Sequence, residues 1–228
     1  MIPNLDMARL VARDTGEMAR LGHAVREIGF LTLSNTALSA ADVTRVLDAY
    51  RSFFLLPDEA KREVDMARTG ANRGWGAPKS EQVDPTANPD FKQVFDCGHE
   101  LPVDHPMQAR GLSVYAPNMW PSAIPGFRTD VQGYFDRAMG VAMDLLRAIA
   151  ASVGEDESTF DAAFDPPMAL LRGNYYPSRP DWAGDKDFGI AAHTDYGGLT
   201  LLAADGVPGL EVRLPDGRWQ AVTADPRT

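Results

Sequence analysis

One long apolar stripe, followed by a change of period, constrains this chain more than any other feature. Val131, Tyr134, Phe135, Ala138, Ala142, Leu145, Leu146 and Ile149 recur at i, i+3 and i+4, and Gly154 closes the run. The spacing predicts one helix over residues 126–153, long enough at ~1.5 Å per residue to lie across a whole sheet. From Met168 the period shortens to two. Residues 170–176, 199–203, 210–214 and 218–222 read as short strands, and Pro215-Asp216-Gly217 supplies a turn between the last two. Upstream, residues 7–28 read as a helix closed by Gly29, 30–33 as a strand, and Ser39 with Asp42 as the start of a second helix. Residues 67–89 and 98–125 are rich in Gly, Pro, Asn and Asp and flank a strand at 91–97. Helices first and strands afterwards predict an α+β chain, with a sandwich or barrel core and the helices as its outer layer.

Composition narrows the function. Twenty-two Lys plus Arg against 32 Asp plus Glu leave a formal charge of −10, which disfavours a nucleic-acid partner. No 18-residue apolar run is present, so no membrane span is expected. Asp6, Asp14, Glu17 and Glu27 interrupt the first 30 residues, which do not read as a secretion signal. A single cysteine, Cys97, cannot form an internal disulfide and fits a reducing, cytoplasmic setting. It reads as a small buried hydrophobe.

Two segments carry candidate chemistry. In an extended backbone His193 and Asp195 project to the same side, and an imidazole with a carboxylate is two thirds of the facial triad that holds non-haem Fe(II). The plain alternative is a chance tripeptide whose Asp bonds a turn. Arg172, Asn174 and Tyr176 likewise share one face of a predicted strand, and they suit either a carboxylate-bearing ligand or an exposed strand face. On the long loop, Arg73 and Trp75 either cover a substrate or plug the loop onto the core. Lys92 reads as a solvated strand residue.

Eight blocks in order, Gly29-Phe30-Leu31-Thr32-Leu33-Ser34-Asn35, Phe53-Phe54-Leu55-Leu56-Pro57, Arg73-Gly74-Trp75, Asp90-Phe91-Lys92-Gln93-Val94-Phe95-Asp96-Cys97-Gly98, Pro117-Asn118-Met119-Trp120-Pro121, Pro125-Gly126-Phe127-Arg128, Asn174-Tyr175-Tyr176-Pro177 and His193-Thr194-Asp195-Tyr196-Gly197-Gly198-Leu199-Thr200, span nearly the whole sequence. Together they resemble the iron(II)/2-oxoglutarate-dependent dioxygenases of the isopenicillin N synthase-like branch. Thr36-Ala37 stand where that branch usually has His-Gly. The resemblance implies a double-stranded β-helix, a jelly-roll variant, with helices packed outside. Residues 1–120 would form its helical and strand layer, and residues 121–228 the long helix with the first part of the jelly roll. It also implies His193 and Asp195 as iron ligands, Asn174 and Tyr176 as 2-oxoglutarate contacts and Arg172 as a contact for a substrate carboxylate; Arg73 and Trp75 stand beside them as candidate substrate contacts. The cofactors would be Fe(II), 2-oxoglutarate and O2, and the reaction hydroxylation or related C–H oxidation of a small molecule.

The family's third ligand, a His, and its Arg-x-Ser lie beyond the His-x-Asp pair, and the 33 residues after Asp195 contain neither. The resemblance therefore implies a C-terminally truncated chain, a jelly roll incomplete at that end, impaired activity, and self-association through an open strand edge. His23, His99 and His105 match no ligand position. Two further readings stand beside this one: a non-catalytic remnant acting as a binding module, and an Fe(II) oxygenase that does not use 2-oxoglutarate.

Overall fold

The computed structural model describes residues 1–178, 180–184 and 186–223. In chain order the elements are β1 (Asn4–Asp6), α1 (Met7–Val11), α2 (Thr15–His23), a π-helical turn (Ala24–Ile28), β2 (Thr32–Ser34), α3 (Ala40–Phe54) and α4 (Asp58–Lys61). Then follow β3 (Gly74–Gly76), β4 (Gln93–Gly98), α5 (Phe127–Val153), β5 (Leu170–Tyr175), β6 (Glu211–Arg213) and β7 (Trp219–Ala221), with short 3-10 turns between. Among the described residues no helix is long and apolar enough to cross a membrane.

Chain contacts divide the molecule into two units that interleave in sequence. One holds 1–47, 131–165 and 199–228; the other holds 48–130 and 166–198. In the first unit β1 pairs with β2 in parallel. Leu5, Met7, Leu10 and Leu21 form a core with Leu145 and Ala148 of α5, and Leu199 packs against it. The helix expected over 7–28 breaks in two because Asp14 caps α2, its carboxylate accepting from the Glu17 N–H at 2.9 Å. Gly29 then ends the helical run at φ 79°, a left-handed conformation that suits glycine.

Residues 199–203 were expected to be a strand and are not one. A strand persists only as a member of a ladder, and among the described residues none pairs with this segment. The turn at 215–217 does join two strands as its sequence indicates, β6 and β7, with Val212 opposite Gln220.

The second unit is built on an antiparallel sheet of order β3-β4-β5, with Phe95 opposite both Trp75 and Gly173. Side chains alternate across a strand, so this register gives the sheet two unlike faces. One face carries Trp75, Gln93, Phe95 and Tyr175. Phe95 meets Phe53 of α3 at 4.8 Å between ring centroids and Phe127 of α5 at 5.1 Å, and Tyr175 stacks on Phe54 at 5.4 Å. Lys61 is buried beneath this cluster without being orphaned. Its ammonium donates to Gln93 Oε1 at 2.8 Å and the Phe54 carbonyl at 3.2 Å, pairs with Asp58 at 2.9 Å, and lies over the Trp75 ring.

Gly173 leaves the space that the Tyr50 ring fills: a Cβ there would sit 2.3 Å from Tyr50 Cδ1. We expect Gly173→Ala to destabilise the fold by about 1–3 kcal/mol through overpacking. Phe53→Ala should cost about 3–5 kcal/mol through a cavity. Urea unfolding followed by circular dichroism measures both.

Candidate active site

The opposite face of the same sheet is polar, buried along β4 and partly open along β5. Asp96 stands directly across from Arg172, and the pair closes as a fork: Nε to Oδ1 at 2.8 Å and Nη2 to Oδ2 at 2.6 Å. Arg172 Nη2 also reaches Glu81 at 2.9 Å. Glu81 then accepts from Lys92 at 3.0 Å, and Lys92 from its other side meets Asp90 at 2.8 Å. The result is a line of alternating charges, Asp96, Arg172, Glu81, Lys92 and Asp90. Asp96 at 0%, Asp90 at 1% and Lys92 at 3% exposure are closed to water, while Arg172 and Glu81 are partly open.

Burial opposes the charge on Arg172, but the two carboxylates outweigh it and raise the guanidinium pKa. Burial likewise pushes Glu81 upward, yet Arg172 and Lys92 prevail and hold its carboxyl below the ordinary value. At Asp96 burial is the larger influence and raises the carboxyl against the pull of Arg172.

Several expected roles change in this setting. Lys92 is a buried link between two carboxylates, where its sequence suggested a solvated residue. Arg172 is committed to Asp96 and Glu81, so its placement gives it an internal partner in place of a substrate carboxylate. Arg73 is 1% exposed, and each of its guanidinium nitrogens donates to a backbone carbonyl: Ala116, Asn72 and Val114. Trp75 is buried with its indole N–H on Gln93 at 2.9 Å. For both, packing accounts for the residue and leaves no group to offer a substrate. Cys97 is buried, which pushes its thiol up to about 12 and keeps it protonated. His105 caps a 3-10 turn by accepting from the Met107 N–H at 3.2 Å.

Asn174 lies on the polar face, opposite Val94, and is exposed. Tyr176 follows β5, and its ring rests on Gly189: a Cβ there would be 2.7 Å from Tyr176 Cδ1. Desolvation, then the charge of Asp90, raises the Tyr176 hydroxyl pKa, so it stays a neutral donor. The segment carrying Gly189 runs beside residues 88–91, with Asn88 N–H on the Lys186 carbonyl at 3.0 Å and Phe91 N–H on the Phe188 carbonyl at 2.8 Å.

Beyond this segment lie His193 and Asp195, both open to solvent. His193 Nδ1 is 2.9 Å from the Ala191 carbonyl oxygen. A carbonyl only accepts, so the bond places the ring proton on Nδ1 and leaves the Nε2 lone pair free. That lone pair faces Asp195 Oδ1 at 3.5 Å. Two acceptor atoms turned toward each other suit a shared cation, and a histidine with its second nitrogen tied to a carbonyl is the usual arrangement of a metal ligand. The pair therefore fits the first two protein ligands of an Fe(II) site. Among the described residues no third His, Cys, Asp or Glu joins it.

Comparison with known proteins gives the class. Residues 2–123 match the N-terminal family model described as non-haem dioxygenase in morphine synthesis, and residues 167–228 match the 2OG-Fe(II) oxygenase superfamily. The chain belongs to the 2OG-Fe(II) oxygenases and shares their α+β, double-stranded β-helix fold class. It is 33% identical, over 95% of its length, to the 2-oxoglutarate-Fe(II) type oxidoreductase hxnY of Emericella nidulans, and spans 65% of that relative. A 2OG-Fe(II) oxygenase family protein from Caulobacter crescentus superposes with a TM-score of 0.82 at 29% identity, over 99% of this chain and 70% of its own. A full-length Neurospora crassa protein in complex with alpha-KG and thymine gives 0.81 at 29% identity, over 97% and 70%.

Sequence reading missed Asp90, Glu81 and Asp96 as partners of the site. The signal was present: Asp90, Lys92 and Asp96 share one parity, and Phe91, Phe95 and Cys97 fall on the other. Because Glu81 is held below its unfolded value of about 4.3, its contribution is complete above that pH and is lost as pH falls through the folded value. We expect Glu81→Gln to lower stability by about 1–2 kcal/mol at pH 7, and the gap from the parent chain to close in acid. Urea midpoints at pH 7, 5 and 3.5 provide the check.

Proposed function

We propose that this chain carries the iron-binding segment of an oxidoreductase that hydroxylates, or otherwise oxidises at carbon, a small organic molecule using Fe(II), 2-oxoglutarate and O2. The observation that carries the proposal is the His193 ring, tied through Nδ1 to Ala191 and turned with its free Nε2 toward Asp195. When bound, iron and 2-oxoglutarate supply the oxidising power, with 2-oxoglutarate decarboxylated to succinate.

The chain's own residues hold and orient. His193 and Asp195 furnish one nitrogen and one oxygen donor from the same side. Asn174 and Tyr176 offer an amide and a neutral hydroxyl for the 2-oxoglutarate carboxylates. The buried charges behind them keep the sheet face fixed while those groups stay accessible. Arg172 supports this arrangement from within. A small-molecule substrate is favoured by the thymine and 5-formyluracil held in solved relatives. The lone buried Cys97 favours a reducing, cytoplasmic compartment. Self-association, if the chain shows it, would use the short β6–β7 ribbon with its exposed Trp219.

A second reading is a module that binds without turnover. Anaerobic Fe(II) titration together with succinate formation separates the two. The oxygenase reading expects saturable Fe(II) binding and, in air, 2-oxoglutarate-dependent succinate. His193→Ala should weaken Fe(II) binding by on the order of 100-fold and abolish turnover. Binding of 2-oxoglutarate without succinate in the parent chain would support the module. Unchanged iron affinity in His193→Ala would remove the pair from the metal site.

A further inference from the structure

Asp90 is 1% exposed, and the chemistry proposed above does not use it. Its own backbone is fixed from two directions. Its N–H donates to the Glu81 carbonyl at 2.9 Å, and its carbonyl accepts from the Lys79 N–H at 3.1 Å. The side chain divides its two oxygens: Oδ2 accepts from Lys92 Nζ at 2.8 Å, and Oδ1 accepts from the Ala191 N–H at 3.4 Å. Ala191 in turn accepts from His193 Nδ1 at 2.9 Å. A single peptide residue is thus held at its N–H by a buried carboxylate and at its C=O by the imidazole.

We propose that Asp90 is a positioning residue for His193, fixing the orientation and tautomer of the imidazole through the backbone of Ala191. The inference rests on the metal-site reading of His193 and deepens it. Segments 88–91 and 186–191 are joined by the rungs at Asn88 and Phe91, and the Asp90–Ala191 bond is the rung nearest His193. A carboxylate is acceptor-only, so it cannot repel the Ala191 N–H by turning over, as an amide can. Lys92 supplies the counter-charge that lets an ionised side chain stay buried there. The ion line across the sheet thereby ends in a contact that orients the metal ligand.

The geometry makes a specific demand of Asn at this position. The ammonium of Lys92 would claim the amide oxygen, because the charge-assisted bond is the stronger. The NH2 group would then face the Ala191 N–H, donor against donor. Removing the ammonium as well frees the amide oxygen to accept from Ala191 again. Loss in Asp90→Asn with recovery in Asp90→Asn/Lys92→Met is a pattern that a purely space-filling Asp90 would not give.

Long-range 15N–1H correlation spectra of the metal-free chain report the His193 tautomer, and amide exchange reports the Ala191 N–H. The parent chain should show the Nδ1–H form and a protected Ala191 amide; failure of either overturns the proposal without any variant. Asp90→Asn should lose that tautomer preference and bind Mn(II), the probe ion, about 10–100-fold more weakly. The double variant should regain both, and if Asp90→Asn does not fold the double variant alone decides. A folded single variant with the parent tautomer and affinity, or a folded double variant lacking them, overturns the proposal. Absence of Mn(II) binding by the parent chain would instead defeat the metal-site reading, while the tautomer still decides the role of Asp90.

Discussion

The Arg172–Asp96 fork joins residues 76 apart in sequence and does so with Asp96 fully buried. A carboxylate in that position is tolerable only with its partner in place; removing one member of such a pair typically costs 3–5 kcal/mol or about that order. The fork therefore makes the pairing of β4 with β5 close to obligatory. Everything on the polar face follows from it. Glu81 is drawn in because Arg172 has donors to spare, Lys92 because Glu81 and Asp90 need a cation between them, and Asp90 because Lys92 fixes it. Hydrophobic burial stabilises the other side of the sheet, but burial alone is non-directional and would not select these partners.

The two faces divide the labour of the second unit. Phe95, Tyr175 and the rings of α3 and α5 make a close-packed layer whose contacts are aromatic edges and stacks. The polar side is less dense in apolar contacts and richer in fixed charges, and it is the side on which Asn174 stands. A rigid backing with a polar front is what a site needs if it is to orient ligands without collapsing onto them. Tyr176, lying on Gly189, extends the front beyond the end of β5.

Periodic features were legible in the sequence, and pairwise ones were not. The stripe from Val131 to Ile149 announced α5, whose observed span is Phe127–Val153, and alternation announced β5. His193 and Asp195 stood out because two residue types at one spacing suit one kind of chemistry. Lys92 was misread because solvation is the common fate of a lysine, and nothing local reveals that Glu81 and Asp90 will flank it. The same holds for Arg73, whose partners are backbone carbonyls that carry no sequence signature at all. Residues 199–203 have the composition of a strand, but a ladder is a property of two segments, and composition reports only one.

The alternation in β5 has a further consequence for how the chain tolerates change. Leu171, Gly173 and Tyr175 share the face of the aromatic layer; Leu170, Arg172 and Asn174 share the polar one. Sliding β5 by a single position against β4 would turn the guanidinium into the aromatic layer and bring Gly173 under the Asp96 carboxylate. No neighbouring frame is a near miss, because each pairs a charge with a ring and a void with a charge. The strand is thus self-proofreading: only one alignment survives, and it is the same alignment that carries Asn174 to the front. A length change within β5 would therefore displace both faces at once, and with them the placement of Asn174.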